Sequence, residues 1–264
     1  MQPLVIFGSS PFSVIVLEKL LASNIYHLTS VVTTPDKPTG RGLKLTPNPV
    51  KLFAQKNNIP AYISPSSIPP LNSRGGKGGV IGLVAAYGKI IPQSILDKFN
   101  NHIYNIHPSL LPKFRGPSPL QKQILDGVTQ TGVTIIQLDE KMDHGPILAQ
   151  QKDVILPDDT WITLGNRLFS LGANWFIENY LKIENCELKI QDESQATYTK
   201  KLTRQDGFLP WDEFTKFDYD RKFRAFYSWP GIWSIDSSSK RVKLVSLNPI
   251  MVQYAGNKPQ TYVT

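Results

Sequence analysis

The chain has 264 residues, 41% of them hydrophobic and 19% charged, which suits one large domain with a sizeable core plus a smaller one. Its formal charge of +8 fits a polyanionic partner, and equally an anionic lipid surface or a basic soluble enzyme. The lone Cys186 excludes an intrachain disulfide and agrees with a reducing, cytoplasmic setting.

The N-terminus, Met1-Gln-Pro-Leu-Val-Ile-Phe7, has no basic region and only a short apolar run, so it reads as a strand and not a signal peptide. No segment is long and apolar enough to suggest a membrane span, and no repeat recurs at a fixed period. Leu4 to Phe7 is a buried strand, and Gly8-Ser9-Ser10 turns it into a helix over Pro11 to Ala22, with Phe12, Ile15, Val16 and Leu20 at helical spacing. Leu28 to Thr34 is a second strand. A loop rich in Pro, Gly and basic residues follows from Pro35 to Pro49. Val50 to Lys56 is a short helix and Ala61 to Ile63 a short strand.

Ser64 to Gly79 is dense in Ser, Pro and Gly and reads as loop. Val80 to Ala86 and Ile103 to His107 are strands, Ser118 to Leu125 a helix, and Gly132 to Leu138 and Ile147 to Ile155 further strands. Asp158-Asp159-Thr160 offers N-cap chemistry for a long helix ending near Leu181. This alternation predicts an α/β domain with a doubly wound, mostly parallel sheet over residues 1–182. Ile183 to Arg204 is polar without periodicity and reads as a linker. Residues 205–264 are aromatic-rich with short strand candidates such as Val242 to Leu247, and are read as a small β-rich domain.

The segment Ile103-Tyr-Asn105-Ile-His107 bears the strongest chemistry. Alternation along a strand puts Asn105 and His107 on one face, and Pro108 ends the strand there. The carboxyl ends of strands are where open α/β sheets build their sites. An amide beside an imidazole can stabilise an oxyanion and handle a proton. On spacing alone, a polar strand end capped by its own side chains fits equally well. Gln137 to Pro146 holds several carboxylates in a short loop, and one near His107 would raise its pKa and fix its tautomer. Alone, that loop reads as a solvated acidic turn, with His144 a loop histidine.

The basic loop Thr34 to Lys51 has glycines that allow close backbone approach. Lys37 and Lys44 suit phosphates as flexible point charges, whereas Arg41, with its planar fork, suits bidentate contacts. On charge alone, an ordinary surface loop is the simpler reading. Gly75-Gly-Lys-Gly-Gly79 lacks the Gly-Lys-Ser/Thr of a phosphate loop, and Gly8-Ser-Ser lacks the dinucleotide glycine spacing. The four histidines and one cysteine show no ligand spacing, so no metal is expected.

His107-Pro-Ser-Leu-Leu-Pro112 followed by Lys-Phe-Arg-Gly116 resembles the signature of the folate-dependent formyltransferases. Phe7-Gly-Ser-Ser-Pro-Phe-Ser13, Val84-Ala-Ala-Tyr-Gly88, Gly132-Val-Thr134 and Met142-Asp-His-Gly-Pro-Ile-Leu148 follow the same pattern in order. Three features resemble the methionyl-tRNA formyltransferase family in particular: Pro35-Asp-Lys-Pro-x-Gly40-Arg-Gly42, Gln191 to Leu202, and Arg224-Ala-Phe-Tyr-Ser-Trp-Pro-Gly231. The resemblance covers nearly the whole chain. It implies a Rossmann-like formyltransferase domain, a linker and an OB-like tRNA-binding domain, in a monomer that formylates methionyl-initiator tRNA from 10-formyltetrahydrofolate, without a metal. A formyltransferase for an amino-sugar nucleotide or another small amine is the rival reading. The resemblance further implies Asn105, His107 and Asp143 as the catalytic set. Ser109, Leu110, Leu111 and Pro112 would form the folate-contacting loop, with Tyr87 and Gly88 nearby, and Arg41, supported by Lys37 and Lys44, would be the main tRNA contact. Two departures stand out. Ser73-Arg-Gly-Gly-Lys-Gly-Gly-Val80 replaces the family's helix end and acidic residue. The chain also ends at Thr264, short of the family's usual length, so a short or incomplete C-terminal barrel is expected.

Overall fold

The computed structural model describes residues 1–39, 42–69, 79–179, 182–183 and 187–262. Arg41, Cys186 and most of the Gly75–Gly79 run lie outside the described residues. Strand β1 (Gln2–Gly8) leads into α1 (Pro11–Ala22), whose N-cap Ser10 forms a capping box with Ser13. Strand β2 (Tyr26–Val32) follows. Within the expected loop Pro35 to Pro49, β3 (Lys37–Thr39) and β4 (Lys44–Thr46) pair as a hairpin. Asn48 then caps α2 (Pro49–Lys56) by accepting from the N–H groups of Val50 and Lys51, both at 3.1 Å. The order continues through β5 (Ala61–Tyr62), β6 (Ile81–Ala85), α3 (Gln93–Lys98), β7 (Ile103–His107), α4 (Pro119–Leu125), β8 (Gln130–Gln137), β9 (Ile147–Val154) and α5 (Trp161–Glu178).

These strands form a seven-stranded sheet in the order β5-β2-β1-β6-β7-β8-β9. The first five are parallel to one another, as the α/β alternation predicts. The last two break the pattern, because β8 runs antiparallel to both β7 and β9. Between β8 and β9 lies only the loop 138–146, with no helix to return the chain to the opposite end, and such a connection can join only antiparallel strands.

Alternate side chains of the buried strands feed two apolar clusters. Leu4, Ile6, Leu83, Tyr104 and Ile106 pack with α1 and α5 residues such as Val16, Leu168 and Phe176. Val5, Phe7, Val84 and Ile103 pack with Ile95, Leu96 and Phe99 on and beside α3. The short helices α6 (Trp211–Phe214) and α7 (Asp220–Phe226) precede a four-stranded antiparallel sheet of β10 (Trp233–Ile235), β11 (Arg241–Leu247), β12 (Ile250–Tyr254) and β13 (Gln260–Thr261). This small sheet fits an OB-like unit. Its core residues Phe226, Val242 and Val252 are continuous with the first cluster. Trp161 Nε1 donates to the Tyr227 carbonyl at 2.8 Å, and Arg224 Nη1 to that of Asp159 at 3.0 Å, tying α7 to the start of α5. No helix among the described residues is long and apolar enough to cross a membrane.

Helix α5 sits tightly on the sheet at Gly172, where an added Cβ would lie 2.6 Å from Ile106 Cγ2 and 3.1 Å from Val133 Cγ2. Alanine there would gain about 1 kcal/mol of helix propensity, yet both neighbours are buried β-branched residues that cannot swing aside. Gly172→Ala is therefore expected to destabilise the protein by about 1–2 kcal/mol net, read by urea unfolding. An unchanged or raised midpoint would show that the helix has room to shift.

Candidate active site

Strand β7 lies between β6 and β8, so its backbone is paired on both sides. Its odd-numbered residues share one face. Ile103 enters the second apolar cluster, whereas Asn105 and His107, toward the carboxyl end, are only 9% and 4% exposed. Buried polar groups need partners, and the loop 138–146 supplies them. It leaves β8 beside the start of β7, where the Leu138 N–H donates to the Ile103 carbonyl at 2.8 Å. It then folds back until Asp143 reaches the far end of the strand. Asn105 Nδ2 donates to Asp143 Oδ1 at 3.3 Å, and His107 Nδ1 lies 3.5 Å from the same oxygen. The other oxygen, Oδ2, accepts from the Gly116 N–H at 2.7 Å. The structure thus brings together the three residues expected to act together.

On the other side of the ring, His107 Nε2 lies 3.1 Å from the Phe114 carbonyl oxygen. A carbonyl can only accept, so Nε2 carries a proton and Nδ1 is the atom free to gain or lose one. Burial disfavours the imidazolium, but the charge and hydrogen bond of Asp143 and the Phe114 carbonyl outweigh it and raise the His107 pKa. Burial likewise disfavours the Asp143 carboxylate. The charge and hydrogen bond of His107 and the Gly116 N–H win there too, and its pKa is lowered. The two directions agree: the site favours a largely buried carboxylate–imidazolium pair.

Asn105, His107 and Asp143 open onto a cleft of about 370 Å³. Residues of both apolar clusters line it, Phe12, Leu120 and Phe169 from one and Val84, Tyr87 and Ile91 from the other. Tyr87 and Gly88 are among the lining residues, as expected. Among the described residues, the buried Tyr87 hydroxyl has no hydrogen-bond partner, and burial pushes its pKa up. Gly88 has a φ of +73°, with nothing near where a Cβ would stand.

Ser109, Leu110, Leu111 and Pro112 do not line this cleft. Ser109 and Leu111 are buried, and the loop is held from β8 and β9. Thr134 Oγ1 donates to the Ser109 carbonyl at 2.6 Å and accepts from the Leu111 N–H at 3.1 Å, and Gln150 Nε2 donates to the Leu111 carbonyl at 2.8 Å. Lys37 and Lys44 stand exposed on the β3–β4 hairpin, away from the cleft lining. Sequence reasoning missed the supporting parts. Thr134 lay inside a quoted motif, but its role follows from the pairing of Thr134 with His107 across β7 and β8. The Phe114 carbonyl is a backbone group, for which side-chain chemistry gives no signal.

A protein-family comparison matches residues 2–180 to the formyl transferase family. The chain is 37% identical over 241 residues to a methionyl-tRNA formyltransferase of Caldicellulosiruptor saccharolyticus, covering 88% of this chain and 75% of that protein. It is 32% identical over 290 residues to a methionyl-tRNA formyltransferase of Paramagnetospirillum magneticum, covering 98% and 94%. Its fold superposes on the solved methionyl-tRNA formyltransferase of Clostridium thermocellum with a TM-score of 0.65 at 18% identity, covering 99% of this chain and 100% of that one. At that identity the likeness speaks for the fold alone.

The pair gives folding stability a definite pH window. The raised His107 pKa contributes stability present in full below its ordinary 6.5 and lost as pH rises through the raised value. The lowered Asp143 pKa contributes stability present above its ordinary 3.8 and lost as pH falls through the lowered value. Asp143→Asn is therefore expected to destabilise the protein most between those limits and to lower the His107 titration midpoint. Urea unfolding across pH, with NMR titration of the ring, reads both. A variant whose stability loss is the same at every pH would refute the pairing.

Proposed function

Because the chain belongs to the methionyl-tRNA formyltransferases of the formyl transferase family, we propose that it moves the formyl group of 10-formyltetrahydrofolate to the free α-amino group of methionyl-initiator tRNA. The observation that carries the chemistry is the convergence of Asn105, His107 and Asp143 at the mouth of a cleft walled by apolar residues. The donor supplies a formyl carbon bound to a nitrogen leaving group. Attack by the amine forms the new N–C bond and places negative charge on the formyl oxygen. Asn105 Nδ2 has a second N–H besides the one facing Asp143, and it donates to that oxyanion. The His107 imidazolium gives its Nδ1 proton to the departing nitrogen as the old C–N bond breaks, and Nδ1 then takes the proton that the amine gives up. Asp143 holds the ring and stabilises its charged form. No covalent enzyme intermediate is needed, since the amine is the nucleophile.

The folate is best accommodated beside Tyr87 and Gly88, which line the cleft and where the Gly88 backbone is open. Ser109 to Pro112 would support the site from below, with any folate contact coming from the half-buried Leu110 and Pro112. We take residues 1–182 as the catalytic domain, 183–204 as the connection and 205–264 as the tRNA-binding domain. Exposed Lys37 and Lys44 would meet phosphates, and Arg41 the acceptor arm.

Labelled formyl transfer to methionyl-initiator tRNA, compared with amino-sugar nucleotides and other small amines, tests the reading. Preference for a small amine would replace the tRNA with that rival. Asn105→Ala and His107→Ala are expected to fold and to lose turnover, the former by roughly a hundred- to thousandfold. Near-normal single-turnover rates in both would remove the catalytic assignment. Arg41→Ala should lower kcat/KM more for initiator than for elongator methionyl-tRNA, whereas Lys44→Ala should weaken both alike and lessen the salt dependence. Equal losses for Arg41→Ala would reduce the arm to a general basic patch.

A further inference from the structure

The segment expected to be a plain linker runs across the site as a strap. The backbone of Lys189 pairs with Ile147, N–H to carbonyl in both directions at 2.7 and 2.9 Å. Further along, the Arg115 N–H donates to the Thr197 carbonyl at 2.8 Å and the Thr199 N–H to the Arg115 carbonyl at 2.7 Å, while the Phe114 N–H donates to Thr197 Oγ1 at 2.8 Å. Between these backbone ties lies Arg115, only 1% exposed.

All five of its N–H donors are engaged by the strap. Nε and Nη2 donate to Gln191 Oε1 at 3.2 and 2.8 Å. Nη1 and Nη2 donate to the two oxygens of Glu193 at 3.0 and 2.6 Å, and Nη1 also donates to the Tyr198 hydroxyl at 3.2 Å. Gln191 turns its amide nitrogen the other way and donates to the carbonyls of Asp143 at 2.9 Å and Gly145 at 2.8 Å. Arg115 does not line the cleft and has no donor left for a substrate. Its connection to the chemistry is through the backbone it clamps.

That backbone bears the partners of His107 and Asp143. Phe114, whose carbonyl meets His107 Nε2, has a φ of 63°; Gly116, whose N–H holds Asp143 Oδ2, has a φ of 108°; Asp143 itself has a φ of 51°. Non-glycine residues stay in this left-handed region only where their surroundings over-determine it. The Arg115–Gln191 junction touches both loops that hold such residues. We propose that Arg115 and Gln191 are positioning residues, which clamp the strap to the two site loops and so hold the Phe114 carbonyl and the Asp143 carboxylate against the His107 ring. The consequence for turnover rests on the formyl-transfer reading above; the consequence for the ring rests on the geometry alone.

The charged groups that face His107 are Asp143, from the loop after β8, and Arg115, from the loop after β7. The guanidinium charge by itself lowers the His107 pKa, so deleting it would mix a charge effect with a positioning effect. The test therefore uses Gln191→Ala, which changes no charge, and Arg115→Lys, which keeps the charge but loses the fork. The His107 midpoint is measured by NMR on the labelled full chain without substrates, alongside kcat and KM for methionyl-tRNA and the formyl donor. Both variants are expected to titrate at lower pH than wild type, with kcat down about ten- to a hundredfold and KM changed much less. Should Arg115→Lys fail to fold, Gln191→Ala decides. A folded Gln191→Ala with the wild-type midpoint overturns the proposal, even if it melts earlier, because the clamp is then a structural tie only. A wild-type chain that transfers no formyl group refutes the functional reading and leaves the titration to judge the clamp.

Discussion

Every part of the site answers to the carboxylate of Asp143. A largely buried carboxylate is tolerable only when its oxygens are well partnered, and two separate pieces of chain supply the partners of a group carried on a third. Asn105 and His107 come from the central strand β7, the Gly116 N–H from the loop after it, and Asp143 itself from the loop that folds back from β8. Moving any one piece would leave a charge in a low-dielectric setting without compensation. The same pairing keeps the imidazole charged more readily than burial would allow, so folding and chemistry depend on one electrostatic arrangement.

The antiparallel edge of the sheet makes that arrangement reachable. A helical crossover after β8 would have carried the chain to the opposite face. The loop 138–146 instead stays beside β7 and can fold along it. The cleft then opens where the two apolar clusters meet, so one wall draws on each layer of the fold. An apolar wall around a few convergent polar groups strengthens each of their interactions by excluding water.

The parallel half of the fold was legible because its strands are short β-branched runs bounded by Gly, Ser and Pro. The shared face of Asn105 and His107 follows from strand alternation alone. Helix α3 escaped notice since its six residues, Gln93–Lys98, bury only Ile95 and Leu96, too few for a periodic pattern. The hairpin in the basic loop escaped for another reason: all of β4 is exposed, so no buried alternation marks it. Arg115 stood in the sequence only as part of a motif, with no sign of its burial, because that burial depends on Gln191 and Glu193, more than seventy residues away. The polar composition of 183–204 reads as solvated chain. Here polarity instead reflects donors and acceptors matched to another part of the molecule.

The β3–β4 hairpin is fastened at its base and bare above it. Asn48 Nδ2 donates to the Thr34 carbonyl at 2.7 Å, Lys51 pairs with Asp36 at 2.8 Å, and beyond them Leu43 and Leu45 are 71% and 64% exposed. None of the described residues of the hairpin belongs to either apolar cluster that supports the cleft. Substitutions along its outer half can therefore accumulate with little effect on folding or on the reacting groups. If this arm grips tRNA as proposed, selection could retune that grip while leaving the chemical step as it stands.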